Sequence, residues 1–203
     1  GWPVLADQNG ITGSAQPDYS AGLGASITKG NWDLSFVFET TQGNEMWAGT
    51  YSVLHFFGIH PNTAVESVAP QDLTKYGGGI VPAGTTFRGS IGDFGGGPVA
   101  LEQQWYRSDG GGFGSQDELF IYDASFIKLR EVSLSYNLPS SILEQIGAKG
   151  GSVGISGRNF LLQTNFPDVD PEISLVGAGK ARGVEYFTNP NTESVLLNLK
   201  LNF

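Results

Sequence analysis

Residues 123–139, DASFIKLREVSLSYNLP, carry an apolar side chain at nearly every second position and then meet Pro139. Successive strand side chains point to opposite faces, so a period of two predicts a β-strand with one apolar and one polar surface. Val132, Leu134, Tyr136 and Leu138 share one parity and Ser133, Ser135 and Asn137 the other, while Ile127 and Leu129 upstream are out of phase. The phase change at Arg130-Glu131 points to a β-bulge, or to a strand leaving its apolar surroundings at that height. Pro139 ends the strand because it has no N–H to give a ladder. Alternation alone leaves open whether the apolar surface meets a core or a lipid bilayer.

The same pattern recurs on both sides. Ala21, Leu23, Ala25 and Ile27 alternate with small or polar residues, Gly30-Asn31 supplies a tight turn, and Trp32, Leu34, Phe36 and Phe38 continue, which predicts a hairpin with one apolar face. Val153 and Ile155 alternate within 151–166, and the closing SVLLNLKLNF puts Val195, Leu197, Leu199, Leu201 and Phe203 on one face. Strands are therefore expected at about 21–29, 32–42, 123–138, 151–166 and 194–203. The first twenty residues read as loop, as do 43–122 and 167–192, with short strands or turns expected at 51–57 and 118–122. The connection SSILEQIGAKG fits one helical turn through Ile142, Leu143 and Ile146. Short and long connections alternate, so the short ones gather at one end of an antiparallel sheet and the long ones at the other. Outer-membrane barrels have this asymmetry, with short periplasmic turns and long extracellular loops.

Composition narrows the classes. The formal charge of −9, with 11 scattered basic residues, argues against nucleic acid as a partner. With no cysteine there is neither a disulfide staple nor a thiolate metal site. No apolar run nears the roughly 18 to 20 residues of a membrane-crossing helix, whereas barrel strands cross with about 9 to 11 alternating residues. The first residues hold no basic n-region or apolar h-region, so the expectation is a chain that was processed or starts within a longer protein.

DASFIKLREVSLSYNLP resembles the segment near the C-terminus of SusC/RagA-like TonB-dependent outer-membrane transporters. In the same order, GSAQPDYSAGLGASITKGNWDLS resembles the hairpin of that family, GNEMWAGTYSVLHFFGIHPNT one of its loops, SGRNFLLQTNFPDVDPE its DPE-bearing stretch, and LLNLKLNF its closing strand. Lys128, where Arg is commoner, and the missing glycine before DPE are departures. The resemblance implies an all-β fold: residues 1–203 as the C-terminal part of an antiparallel transmembrane β-barrel of roughly 22 strands around a plugged lumen, the plug domain lying outside this chain. It also implies an outer-membrane importer of oligosaccharides or peptides, of the Bacteroidota type, with no enzymatic activity and no cofactor. Its implied partners are a SusD-like surface lipoprotein, TonB-ExbB-ExbD through the N-terminal part, and the lipid bilayer. A soluble β-rich carbohydrate-binding or surface-adhesion module is the alternative from another class.

Candidate residues follow from chemistry. Trp47, Tyr51, Trp105 and Tyr106, in the 43–122 stretch, are rings suited to stacking on a sugar, with Arg107 to bond hydroxyls; packing within the loop or an interfacial aromatic belt are the other readings. Leu199, Leu201 and Phe203 correspond, by the resemblance, to a C-terminal barrel-assembly signal. Asp168, Asp170 and Glu172 are spaced to offer oxygens to Ca²⁺ or simply to shape a loop, and no metal site is expected. His55 and His60 stand without a carboxylate at ligand spacing, and the glycine runs at 77–79, 95–97 and 110–112 lack the context of a phosphate loop. No catalytic residue is expected.

Overall fold

In the computed structural model the chain forms two compact units. One comprises Gly1–Ser14, Met46–Tyr122 and Ser174–Thr188, the other Ala15–Glu45, Asp123–Ile173 and Asn189–Phe203. The structure describes residues 1–113, 116–177, 179 and 182–203. Strands dominate and helices are few, so the fold class is all-β. Among the described residues no helix is long and apolar enough to cross a membrane.

The second unit is built on a five-stranded antiparallel sheet whose spatial order follows chain order: Tyr19–Lys29, Trp32–Gln42, Phe126–Asn137, Gly150–Thr164 and Ser194–Asn202. These are the first to fifth strands below. Register accounts for the alternation in the sequence. Leu23 stands opposite Phe38, Ala25 opposite Phe36 and Ile27 opposite Leu34; the rows run on through Leu34, Leu134, Ile155 and Leu197, and through Trp32, Tyr136, Val153 and Leu199. Directly opposed residues share a face, so these rows merge into one apolar surface. Leu23, Ile27, Ile155 and Leu199 on it are exposed, and Leu197 is 82% exposed, so no second layer of described residues covers it there. The opposite face carries the row Ser26, Ser35, Ser133 and Ser156 and is tied by hydrogen bonds from Thr28 Oγ1 to Asp33 (2.6 Å) and from Asn137 Nδ2 to Asp33 (2.7 Å).

Register slips between Leu129 and Glu131 against both neighbours. Phe38 faces Leu129 and Val37 faces Glu131, so the third strand holds one extra residue at Arg130. That insertion puts Leu129 and Val132 on the same face, which is the phase change seen in the sequence. The fourth strand has its own extra residue, since Leu161 faces Leu129 and Arg158 faces Glu131. Asn159 takes up that insertion at φ +58, a backbone region Asn tolerates better than most residues, and its side-chain amide donates to the Thr192 carbonyl at 3.1 Å. The first and fifth strands are hydrogen-bonded on one side only among the described residues, leaving the sheet open.

Residues 43–122, read in the sequence as loop, contribute most of the first unit. Leu73–Lys75, Ile80–Val81, Ser90–Asp93 and Pro98–Leu101 make a four-stranded sheet, and Glu66–Val68 pairs with Thr86–Arg88. Ala69, Leu73, Val81 and Ala100 form its core, with Phe87 packed against them. The short strand or turn expected at 51–57 is instead a helix, α1 (Gly49–Phe56), and a second helix, α2, spans Gln103–Tyr106. Strands of two to four residues are too short to show a period, and pairs such as Thr74 with Val99 join positions far apart in the chain.

Candidate functional site

Two constellations stand out, one in each unit. The first is a cleft of about 500 Å³ in the first unit, lined by residues of α1 and its C-terminal turn, the end of strand Thr86–Arg88, and α2. Helix α1 begins where Glu185, 1% exposed, accepts hydrogen bonds from Thr50 N–H (3.1 Å) and Thr50 Oγ1 (2.6 Å). A carboxylate here satisfies an orphan N–H and complements the positive end of the helix. The helix stops at Phe57, and Gly58, at φ +67, donates its N–H to the His55 carbonyl at 3.0 Å, a left-handed C-terminal turn of the kind glycine permits. The glycines at 110–112 are a packing device rather than a phosphate loop. A Cβ on Gly110 would lie 2.2 Å from Trp105 Nε1, on Gly111 2.1 Å from the Tyr106 carbonyl, and on Gly112 2.5 Å from Ser52 Oγ.

Into this cleft come His55, Phe56, Phe57, Arg88, Tyr106 and Arg107, with Glu102 and Gln103 on the rim formed by α2. His55 Nδ1 lies 2.8 Å from the Tyr51 carbonyl, which makes it the protonated ring nitrogen, whereas His60 Nδ1 accepts from Asn62 N–H at 3.1 Å. The two imidazoles stack at 4.3 Å. Tyr106 is buried, its hydroxyl 3.1 Å from Ser90 Oγ, and burial pushes that phenol up from its ordinary value. Arg107 lies over the Phe56 ring, its Cζ 5.6 Å from the centroid, a cation–π contact.

Of the five ring and guanidinium residues named from the sequence, Tyr106 and Arg107 line the cleft. The other three pack elsewhere in the same unit. Trp105 is 3% exposed and enclosed by Trp2, Tyr76 and Phe94 at 4.9 to 5.3 Å; Tyr51 lies against His55, His60 and Tyr122; Trp47 stacks on Tyr186. Arg88, Phe56 and Phe57 are cleft residues that sequence reasoning passed over. Arg88 stands in a short strand without periodicity, and HFFG gives no sign that its rings border a cavity. Leu199 and Leu201 lie on the fifth strand and Phe203 just past its end, with Leu199 and Phe203 exposed.

The second constellation lies on the polar side of the sheet in the second unit. Lys128, 1% exposed, bonds both Asp170 and Glu172, and Arg130 grips Glu172 with its two terminal guanidinium nitrogens while its Nε donates to Glu39 at 2.7 Å. Asn191 Nδ2 adds a bond to Asp170 at 2.8 Å. The bulge explains this arrangement, because Lys128 opposite Glu39 and Arg130 at the inserted position both reach the same patch of the DPE loop. The oxygens of Asp170 and Glu172, spaced in the sequence as if for Ca²⁺, are thus turned to cations supplied by the third strand. Burial works to raise both carboxyls, but Lys128 and Asn191 for Asp170, and Arg130 and Lys128 for Glu172, outweigh it and hold them below the usual carboxylate range.

No protein-family model matches the chain. Two curated relatives from Formosa agariphila do: TonB-dependent receptor P3, 24% identical over 198 residues, and TonB-dependent receptor P26, 26% identical over 212 residues. The alignments cover 95% and 98% of this chain and 17% and 18% of the relatives, so the chain spans less than a fifth of their length. Among solved structures, the RagAB peptide importer in its 'closed-closed' state matches with a TM-score of 0.60 at 20% identity, and in its 'open-open' state with 0.58 at 19%; each match covers 98% of this chain and 19% of that one. Both curated relatives are named as receptors and neither as an enzyme. The chain is thus similar in sequence to a segment of these TonB-dependent receptors and in fold to a segment of the RagAB importer, in keeping with the family its motifs resemble.

Proposed function

We propose that the chain is C-terminal barrel wall of an outer-membrane importer of large nutrients, oligosaccharides or peptides, that works with a SusD-like surface lipoprotein and draws energy through TonB. The observation that carries this reading is the two-faced sheet: five antiparallel strands whose apolar rows are exposed and whose opposite face is hydroxyl-rich and charged. Such a surface is costly in water and favourable against acyl chains at about 25 cal/mol per Å². The open first and fifth strands then pair with barrel strands from the rest of the protein, because unpaired backbone in lipid costs several kcal/mol per group. On this reading the long connections, about 43–122 and 167–192, are extracellular loops, and Leu199, Leu201 and Phe203 are read by the insertion machinery.

Spin labelling tests it directly, since the chain has no native cysteine. In the full-length protein in lipid vesicles, a label on Leu197→Cys or Leu23→Cys should collide more with oxygen than with a water-soluble nickel complex, and one on Ser156→Cys the reverse. Equal, water-like accessibility at all three positions would return the sheet to a soluble fold.

A further inference from the structure

The cleft in the first unit has the chemistry of an anion site, and we infer that it binds a carboxylate presented beside a ring or other apolar face. This rests on the reading of the chain as part of a nutrient importer and names the ligand class that reading leaves open.

Charge comes first. Arg88 and Arg107 both line the cleft, and neither has an ion-pair partner among the described residues, even though Glu66 stands opposite Arg88 across its ladder. Glu102, the acidic residue of the lining, is already bridged to Lys75 at 3.2 Å. A chain of net charge −9 therefore gathers two uncompensated guanidiniums at one concave site. Guanidinium is the cation whose planar fork matches a carboxylate, and it cannot be deprotonated in a protein.

Shape and apolar lining come second. A volume of about 500 Å³ lies within the range of small-ligand sites. Phe56 and Phe57 form an edge-to-face pair with centroids 5.2 Å apart, Phe57 being 58% exposed, so a ring surface is available to a ligand's apolar face. The walls are held in place in advance: Arg107 rests over the Phe56 ring, Tyr106 is tied to Ser90, and Gly89 permits an approach no side chain would allow, since a Cβ there would lie 2.3 Å from the Leu101 carbonyl. A site that is already organised spends little of its binding energy on ordering.

Acidic peptides and uronic-acid saccharides both present this chemistry. The test is isothermal titration of the detergent-solubilised full-length protein with an aspartyl-phenylalanine dipeptide, a diuronic acid, and the neutral amide or neutral sugar counterpart of each. Binding of either acid but not of its counterpart is expected, and which acid binds assigns the source. Arg88→Gln and Arg107→Gln should each weaken it roughly ten- to a hundredfold, the range for one charge-assisted hydrogen bond, with Arg107→Lys intermediate. Unchanged hydrogen exchange over residues 49–106 in the variants shows that folding is intact. Failure of both acids to bind, binding of the neutral counterparts equal to the acids, or full affinity in both glutamine variants would overturn the inference. Those outcomes leave the lipid-facing test of the sheet untouched, and a water-like sheet would sink the importer reading whatever the titration shows.

Discussion

Replacing Lys128 with Met removes the buried ammonium that holds the DPE loop to the sheet and leaves a side chain of similar length in its place. Breaking a buried ion pair by deleting one partner costs about 3 to 5 kcal/mol, mostly because the other charge is stranded. Here the stranded groups keep some donors: Glu172 still has Arg130, and Asp170 still has Asn191 at 2.8 Å and the Glu172 N–H at 3.1 Å. The cost therefore falls to about 2 to 3 kcal/mol. It should appear as local opening, because the third strand keeps its ladders with the second and fourth. At about 1.4 kcal/mol per decade, amide exchange in residues 166–173 should quicken roughly 30- to 150-fold. Ile173 N–H, bonded to the Asp170 carbonyl at 3.2 Å, is the amide to follow. Hydrogen–deuterium exchange on the intact protein, with strand peptides as internal reference, measures it. Unchanged exchange in 166–173, or equal acceleration through the strands, would refute the claim that this cluster holds the loop.

The other expectations concern separate parts of the chain. Asp170 and Glu172 are held below their ordinary values, so their contribution to loop stability is complete above the unfolded carboxylate range and is lost as pH falls through the depressed folded values; the protection of amides in 166–173, corrected for the pH dependence of intrinsic exchange, should hold at pH 5 to 7 and fall below about pH 4, and a loss of corrected protection on going from pH 5 to 7 would contradict it. Glu185→Gln should loosen the start of α1 by about 1 to 2 kcal/mol, since an amide oxygen is a weaker acceptor for Thr50 and brings no charge to the helix end, read as faster exchange of residues 50–53. Trp105→Ala should cost the first unit about 3 to 5 kcal/mol by emptying the space among Trp2, Tyr76 and Phe94; a limited-proteolysis pattern identical to that of the unaltered protein would show that the ring does not hold this unit together.

Much of the large sheet is legible in the sequence because a strand writes its burial pattern locally. Leu23, Leu134 and Leu197 declare their face by parity alone, and even the bulge is visible as the step between Leu129 and Val132. The cleft is not legible, for the opposite reason. Phe56 ends a helix of eight residues, Arg88 a strand of three, and Arg107 follows a helix of four, and what gathers them is a set of contacts distant in sequence, such as Glu185 capping α1. Trp105 shows the same difficulty from the other side: its composition suits a binding ring, and only packing against Trp2, Tyr76 and Phe94 shows it enclosed.

For this protein the sequence alone determined the all-β class, the two-faced strands and the alternation of short and long connections, because period-two patterning and turn chemistry act over a few neighbouring residues. Tertiary structure decided that residues 43–122 form a unit with its own core, that Lys128 and Arg130 claim the DPE carboxylates, and that two guanidiniums meet in one cleft. Each of these depends on side chains far apart along the chain, and a charge or a ring acquires its role only from the partners the fold sets beside it.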